Sequence, residues 1–242
     1  MMTSSGAAVI AGVILTVVLT AVSGRARGEE PPVIREETLP NNGGRYTISI
    51  PKGYASGKPV PLVVALHYGG TVTPYFSRPF LTELIEPGLR TLGAIIVAPD
   101  CRHGRWTSPE AETSVLALRD YVQSLWTIDP RRTLITGYSM GGTGAWTIAS
   151  RHQDRFTAAL ILAGRPQEDS GAVPWRIPVY VIHSRNDEVM PVKPTADVVG
   201  LIQEQGARIK LVVIDGASHY DVGAFTRHLH EAVPWIQRAW KR

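Results

Sequence analysis

The sequence predicts an α/β fold, in which a mostly parallel central sheet carries helices on both of its faces. Several short runs are continuously apolar and rich in β-branched residues, which is typical of strands buried on both faces. Segments with helical periodicity alternate with these runs along the chain. The chain has 242 residues, of which 44% are hydrophobic, and this is enough to build one such domain around a sizeable core.

The strands are predicted first, from the pattern of apolar residues. "RYTISI", residues 45–50, alternates between apolar and polar positions and indicates an antiparallel edge strand. The remaining predicted strands are apolar throughout, and this favours a parallel sheet that is covered on both sides. They are residues 61–67, 94–100, 132–137, 156–164, 178–184 and 209–216.

The predicted helices lie between these strands. "TSVLALRDYVQSLW", residues 113–126, has apolar positions along one helical face. These positions are Val115, Leu118, Tyr121, Val122 and Leu125. Further helices are predicted over residues 142–152, 194–205 and 222–240, and Pro234 either kinks the last one or starts a second piece.

The first residues differ in character from the rest of the chain. Residues 7–22 form a continuous apolar run that is short for a membrane span but suits the apolar region of a signal peptide. No Lys or Arg precedes the run, whereas Arg25 and Arg27 follow it, so retention as an uncleaved anchor stays open. We assign residues 1–28 to a signal peptide or N-terminal anchor, 29–43 to a polar linker and 44–242 to the folded domain.

The net charge indicates which binding partners to expect, and the cysteine content indicates the cellular compartment. The formal net charge is only +4, and the basic residues are scattered, so we expect no nucleic-acid partner. Cys101 is the only cysteine, and this excludes an intrachain disulfide and any multi-cysteine metal site. Because of the apolar run over residues 7–22, we expect an exported protein, periplasmic, secreted or membrane-anchored, and a bacterial source fits an exported chain without disulfides best.

Polar residues follow the predicted strands, where parallel sheets bind their ligands. Ser139, Asp187 and His219 each come just after a different strand, and they occur in the order of one known serine hydrolase fold. A serine nucleophile needs a base to take its proton, and the base needs an acid to fix its tautomer. The three residues therefore predict a Ser-His-Asp triad.

The serine lies in the sequence Gly137-Tyr138-Ser139-Met140-Gly141. Because this chain has 23 glycines, a Gly-x-Ser-x-Gly motif can arise by chance and decides nothing alone. The two glycines would allow the backbone to approach its neighbours closely at a sharp strand-to-helix turn. The Met140 N–H is the predicted first oxyanion donor, at the start of a helix, and Gly69, with Tyr68 next, is the predicted second.

Several motifs together carry a family resemblance over residues 44–240. They are "LHYGG", "IIVAPD", "GYSMGG", "RFTAALILAG", "HSRNDEVMPV" and "DGASH". With these, the chain resembles an α/β-hydrolase, and most closely the small lidless esterases grouped around phospholipase/carboxylesterase, acyl-thioesterase and secreted polyhydroxybutyrate-depolymerase- or feruloyl-esterase-like proteins. It departs from the family pattern at Tyr68 and at Ser184, where many members have glycine.

The resemblance implies an α/β-hydrolase fold without a cap domain and a serine hydrolase that cleaves carboxylic esters through an acyl-enzyme. The segment between the strands 156–164 and 178–184 is too short to hold a cap, which predicts an open site for a small-molecule or polymeric ester. The alternatives are a thioesterase or serine peptidase with the same triad, or a non-catalytic protein of the same fold. Contact with a membrane is expected only through an uncleaved N-terminal segment, and the oligomeric state stays undetermined.

Other residues compete for these roles. The rival acids are Asp100, Asp215 and Asp221, and the rival histidines are His67, His103, His152, His183, His228 and His230. His228 and His230 are two positions apart, so they do not share a helical face and do not predict a metal site. We expect neither a metal nor a cofactor. Trp106 is predicted to line the substrate pocket, the alternative being that it packs under its own loop.

Overall fold

The central sheet has eight strands in the order β1-β2-β4-β3-β5-β6-β7-β8. It is seen in a computed structural model that describes Met1 and residues 31–241. β1 and β2 run antiparallel to their neighbours, whereas the strands from β4 to β8 pair in parallel. The strands are β1 (Val33–Thr38), β2 (Arg45–Ile50), β3 (Val60–Leu66), β4 (Ile95–Pro99), β5 (Ile128–Tyr138), β6 (Ala158–Leu162), β7 (Val179–Ser184) and β8 (Ile209–Ile214).

Helices cover both faces of the sheet and bury an apolar core on each side. One core lies under α3, α4 and α5, and includes Trp146 and Val115. The other lies under α1, α2 and α6, and includes Phe80 and Leu229. The helices are α1 (Ser77–Phe80), α2 (Glu86–Leu89), α3 (Pro109–Leu125), α4 (Met140–Arg151), α5 (Val192–Glu204) and α6 (Phe225–Trp240), with a π-helical turn at Leu81–Ile85 and 3₁₀ turns at Arg90–Leu92, Glu168–Gly171 and Val222–Ala224.

This architecture confirms the predicted fold class. β3, β4, β6 and β7 are buried along almost their whole length, and β5 is buried from Thr133 onward, because helices lie above and below them. Between β6 and β7 the described chain forms only the short turn Glu168–Gly171, so no cap covers the sheet there. The carboxyl ends of the parallel strands are therefore accessible from one side of the domain.

The edge of the sheet differs from the prediction. Residues 45–50 do form an antiparallel strand, but β1 pairs with them and takes the outer position. β1 lies inside residues 29–43, which were predicted to be a linker. Its sequence, VIREET, is polar because most of its side chains face solvent, so it lacks the apolar signal of a buried strand. The predicted signal peptide or anchor, residues 1–28, lies outside the described residues apart from Met1.

Two helices also differ from their predictions. α3 begins four residues earlier than predicted, at Pro109, because Ser108 caps it by accepting a hydrogen bond from the Ala111 N–H at 3.2 Å. Within α3, Val115, Leu118 and Val122 are buried as predicted, whereas Leu125 is exposed.

α6 runs through Pro234 as one helix, so the prolyl ring does not start a second piece. Pro234 is on the exposed face of α6, as is His230, whose carbonyl loses its helical partner there and can be hydrated. Within the residues that the structure describes, no helix is both long and apolar enough to cross a bilayer.

Candidate active site

Ser139 occupies a sharp turn between β5 and α4. Its backbone has φ 57° and ψ −118°, a conformation that a non-glycine residue adopts only when its surroundings hold it there. The Ser139 N–H donates to the Leu162 carbonyl at 3.0 Å, and the Ser139 carbonyl accepts from the Thr143 N–H at 2.9 Å. β6 and the first turn of α4 therefore fix the backbone that carries the hydroxyl.

The glycines on either side of the turn are required by close backbone approach. A Cβ at Gly137 would collide with the Gly141 carbonyl, and one at Gly141 would collide with the Leu66 carbonyl. Backbone atoms cannot give way as the end of a flexible side chain can, so neither position accepts a larger residue. The close backbone approach that was predicted at both glycines is confirmed.

Two consecutive hydrogen bonds connect Ser139, His219 and Asp187. His219 Nε2 lies 2.8 Å from Ser139 Oγ, and His219 Nδ1 lies 2.8 Å from Asp187 Oδ2. A carboxylate accepts hydrogen bonds only, so Nδ1 carries the ring proton and Nε2 is free to accept the serine hydroxyl. The side chains of Asp187 and His219 are 0% and 5% exposed, so water does not compete for this contact.

The carboxylate of Asp187 is held by its own loop. Asp187 Oδ1 accepts from the N–H groups of Val189 and Met190 at 3.1 and 2.6 Å. His183 Nε2 donates to the Met190 carbonyl at 2.7 Å and lies 3.4 Å from Asp187 Oδ2. Burial lowers the pKa of His183, because a charged ring would lose its hydration, so His183 is a neutral donor.

The loop that carries His219 is fixed at its backbone. The His219 N–H donates to Glu188 Oε2 at 2.9 Å, and the His219 carbonyl accepts from the Tyr138 hydroxyl at 2.8 Å. Burial, together with the nearby charge of Asp187, raises the pKa of Tyr138, so its hydroxyl stays protonated as a donor. The neighbours of Ser139 and Asp187 thus also orient the histidine.

Met140 and Gly69, the two predicted oxyanion donors, lie close to each other at the head of α4. Met140 is the first residue of α4, where helix N–H groups have no partner within the helix. Gly69 is its neighbour in space, since a Cβ on Gly69 would lie 3.9 Å from Met140 Cβ. The ring of Tyr68 packs against Phe76 and Phe80 at 5.9 and 5.8 Å between centroids.

Comparison with known proteins identifies the family of the chain. Residues 102–238, more than half of the chain, match the dienelactone hydrolase family. The chain belongs to the dienelactone hydrolase family. It is also 30% identical over 200 residues to a probable feruloyl esterase C of Aspergillus terreus, an alignment that covers 76% of this chain and 72% of the relative. The chain is thereby confirmed as a carboxylic ester hydrolase of the α/β-hydrolase type, resembling the feruloyl esterases.

Solved structures show the same fold at lower identity. A ferulic acid esterase matches with a TM-score of 0.70 and 19% identity, over 86% of this chain and 99% of that one. A thermostable esterase matches with a TM-score of 0.69 and 22% identity, over 87% of this chain and 63% of that one. The feruloyl esterase relative named above is fungal, so the expectation of a bacterial source gains no support from it.

The three other aspartates that were considered for the role of the acid have other partners in this structure. Asp215 is an exposed residue paired with Arg185, and Asp221 accepts from the Ser218 N–H at 2.8 Å. Asp100 is buried but contacts Arg45 and backbone N–H groups. None of the three has a recorded hydrogen bond to the ring of His219 within the described residues, whereas Asp187 does.

The rival histidines are likewise engaged elsewhere. His152 and His228 contact Glu112 and Glu231, and His103 lies 3.4 Å from Ser114. His230 is on the exposed face of α6. His67 and His183 are buried beside the site, but the hydrogen bonds of their rings go to backbone groups.

The prediction that Trp106 lines the substrate pocket is corrected. Its side chain is 1% exposed, and the indole N–H donates to the His67 carbonyl at 2.9 Å. Its ring also meets that of His67 edge-on, at 5.1 Å between centroids. The loop after β4 folds inward and packs the indole against His67, in the segment that leads to Gly69, whereas the stated alternative was packing under its own loop.

Sequence reasoning missed three residues that support the site. Glu188 fixes the backbone of His219, His183 holds the loop of Asp187, and Asp100 holds the backbone that follows Gly69. Glu188 and His183 flank the predicted acid in "HSRNDE", and this proximity was an available signal. Asp100 had only its place at the end of β4, a signal that equally suggested a catalytic acid.

Proposed function

We propose that this protein is a serine esterase that hydrolyses carboxylic esters through Ser139, His219 and Asp187, with an acyl-enzyme as intermediate. The proposal depends on one observation: the imidazole of His219 makes hydrogen bonds to the carboxylate of Asp187 and to the hydroxyl of Ser139, both at 2.8 Å. The strained backbone of Ser139 at the head of α4 supports it as well.

In the acylation half of the reaction, Ser139 Oγ attacks the ester carbonyl carbon while His219 Nε2 takes the hydroxyl proton. The carbonyl oxygen becomes an oxyanion, which the N–H groups of Met140 and Gly69 stabilise. The bond between carbonyl carbon and alkoxy oxygen then breaks, and His219 gives its proton to the leaving alcohol. Asp187 stays ionised throughout and stabilises the imidazolium.

In the deacylation half, a water molecule replaces the alcohol. His219 Nε2 takes a proton from the water as its oxygen attacks the acyl carbon, and the same two N–H groups stabilise the second oxyanion. The bond from the acyl carbon to Ser139 Oγ then breaks, the proton returns to Oγ, and the acid leaves. The neutral starting state of His219 is thereby restored.

We propose a small or polymeric ester as substrate, with an aromatic acid of the feruloyl type as the first choice. The similarity to a fungal probable feruloyl esterase C and to the structure of a ferulic acid esterase supports this choice. So does Tyr220, which follows His219, is 74% exposed and has its ring 5.7 Å from that of His219. An exposed aromatic side chain at the mouth of a site suits an aromatic acyl group.

We also propose that the protein is exported, with residues 1–28 as its signal peptide or anchor. The apolar run over residues 7–22 supports this proposal. Expression of the full chain, followed by N-terminal sequencing of the fraction found outside the cytoplasm, tests it. A chain that begins near residue 24–29 is expected for a cleaved signal peptide, and an intact Met1 on a membrane-bound protein for an anchor.

The activity is tested with a chain-length series of p-nitrophenyl esters and with methyl ferulate. The wild-type chain is compared with Ser139→Ala and His219→Ala. Ser150→Ala serves as the control, because Ser150 is also on α4 but its hydroxyl donates to the Thr147 carbonyl. We expect turnover and labelling by a fluorophosphonate in the wild type and the control, and neither in Ser139→Ala. Labelling with turnover confined to thioesters or peptides would instead favour a thioesterase or peptidase. Neither labelling nor turnover in the wild type would favour a non-catalytic protein.

A further inference from the structure

A buried carboxylate lies directly after β4 and takes no part in the proposed triad. The side chain of Asp100 is 0% exposed. Its Oδ1 accepts from the Ser77 N–H at 3.1 Å, and its Oδ2 accepts from the Tyr75 N–H at 2.8 Å and from Arg45 Nε at 3.2 Å. Three donors thus converge on one buried anion, and charge-assisted bonds of this kind hold their partners firmly.

The backbone that Asp100 holds is in an unfavourable conformation. Tyr75 has φ 57°, one of three positive values at non-glycine residues in the described chain, and Ser139 is another. Such a conformation persists only where the surroundings fix it. Because Asp100 binds the N–H groups of Tyr75 and Ser77, it fixes the position of Phe76, which lies between them.

Phe76 in turn contacts the segment that carries the proposed oxyanion donor. A Cβ on Gly70 would lie 2.7 Å from Phe76 Cζ, so the ring lies directly against the Gly70 backbone. The same ring meets those of His67 and Tyr68 at 4.9 and 5.9 Å between centroids. Phe76 therefore touches residues on both sides of Gly69.

The residue after Asp100 holds the other end of the same segment. The Cys101 N–H donates to His67 Nε2 at 3.0 Å, and His67 Nδ1 donates to the Tyr68 carbonyl at 2.6 Å. The two consecutive residues at the end of β4 thus hold the chain before and after Gly69. The loop between β3 and α1 is exposed at Gly69 and Gly70, yet it is fixed from beneath at both ends.

We propose that Asp100, acting through Phe76, is a positioning residue that sets the Gly69 N–H for the oxyanion. The inference rests on the proposed function, because it concerns the same site. Among the described residues, the recorded hydrogen bonds of Asp100 go to Arg45, Tyr75 and Ser77 and not to the triad, so we expect it to affect the transition state through the loop. An interaction made mainly in the transition state changes kcat, whereas one made equally in the ground state changes KM.

The primary test is Asp100→Asn in the full chain. The amide replaces one acceptor oxygen with an NH₂ group, so at least one of the three donors meets another donor and the segment around Phe76 loosens. We expect kcat for a p-nitrophenyl ester to fall about 10- to 100-fold, because small misplacements and weakened oxyanion donors have effects of this size. We expect KM to stay within about threefold. Inhibition by a trifluoromethyl ketone, whose adduct places an oxyanion in the hole, should weaken by the same factor as kcat/KM.

Asp129→Asn is the matched control. Asp129 is also buried and also accepts from a backbone N–H, that of Arg131 at 3.0 Å, and from an arginine side chain, that of Arg132 at 2.9 Å. It lies near the start of β5, at the end of the sheet remote from Ser139. We expect it to lower stability without lowering kcat.

Phe76→Leu is the second variant, which keeps Asp100 intact and decides the question if Asp100→Asn does not fold. It should lower kcat about 5- to 10-fold with KM nearly unchanged, since it shifts the donor rather than removing it.

A folded Asp100→Asn or Phe76→Leu with wild-type kcat, or with a raised KM alone, would overturn the inference. A wild-type chain without turnover or labelling would overturn the proposed function, and the inference with it. An active wild type with Asp100→Asn equal to Asp129→Asn would overturn the inference alone.

Discussion

An aspartate is buried near the start of one strand of the central sheet, and another is buried just after the end of a second strand, at the opposite end of the sheet. The two carboxylates have different partners. Asp129, near the start of β5, accepts hydrogen bonds from the Arg131 N–H and from the side chains of Arg131 and Arg132. Asp187, after β7, accepts from backbone N–H groups and contacts His219 and His183. The two residues are 8% and 5% exposed, so burial does not distinguish them.

The difference lies in whether the partner can exchange a proton. An arginine stays charged at every physiological pH, so the cluster at Asp129 can only hold its elements together. A histidine changes its charge near neutral pH, so the partner of Asp187 can take and return a proton. Burial alone would raise the pKa of Asp129, but the hydrogen bonds from Arg131 and Arg132 outweigh it and hold that pKa below its ordinary value. We therefore propose that the first carboxylate serves stability and the second serves the chemistry.

The largest expected effect comes from removing the nucleophile at the chemical end of the sheet. Ser139→Ala should lower kcat about 10⁴- to 10⁶-fold, and His219→Ala should have a similar effect, since residues of a triad act as a unit. The double variant should be no worse than either single one. Steady-state hydrolysis of p-nitrophenyl esters measures all three. A multiplicative loss in the double variant would contradict a shared role.

The direct comparison is Asp187→Asn against Asp129→Asn. The first should lower kcat about 10³- to 10⁴-fold, because an amide no longer fixes the required tautomer of His219. The second should leave kcat unchanged and lower the free energy of unfolding by about 1–3 kcal/mol, the usual range for a buried hydrogen-bonding group that loses its partner. Kinetics and urea unfolding on both proteins measure this. Loss of activity in Asp129→Asn would break the division between the two ends.

Trp106→Phe probes the support beneath the oxyanion loop. The hydrogen bond from the indole N–H to the His67 carbonyl is lost, so we expect the free energy of unfolding to fall by about 1–3 kcal/mol. A side chain 1% exposed touches no substrate, so the relative rates along a series of acyl chain lengths should stay constant. A change in chain-length preference would restore the original prediction that this residue lines the pocket.

The smallest expected effect concerns the pH dependence of stability at His183. Burial lowers the pKa of His183 in the folded protein, while the unfolded chain takes up a proton near the ordinary value of about 6.5. The contribution of His183 to stability is therefore complete above that pH and falls as the pH drops below it, toward the lower folded pKa. His183→Gln keeps an N–H donor for the Met190 carbonyl but does not titrate. The wild type should thus lose more stability than the variant between pH 7.5 and 5, as measured by urea unfolding. His67 is present in both proteins, so an equal loss would assign the acid sensitivity elsewhere.

The buried part of the fold could be predicted because burial on both faces leaves its mark on every residue of a strand. β3 and β4 are apolar throughout, and the predicted bounds agree with the structure to within a residue or two. β1 could not be predicted in this way, because an exposed edge strand does not require apolar side chains. The segment 77–92 was not predicted as helical, and its two prolines, Pro79 and Pro87, explain why, although both lie near the starts of short helices where proline is tolerated.

The site shows a similar division. The order and spacing of Ser139, Asp187 and His219 predicted which residues the structure brings together, because each follows a strand of the same sheet. The supporting contacts depend on which way a loop folds, and one sequence does not fix that direction. Trp106 and Asp100 both follow β4, and nothing in their spacing says that one lies beneath a loop and the other binds backbone N–H groups.

The single cysteine makes the chain well suited to site-specific labelling. Cys101 contributes its backbone N–H to His67, while its thiol is buried, and burial raises the pKa of that thiol. Native protein should therefore react slowly with maleimides, and the thiol side chain can be replaced without touching the hydrogen bond. A fluorophore attached through Tyr220→Cys, at an exposed position next to His219, would then report substrate binding from one defined place.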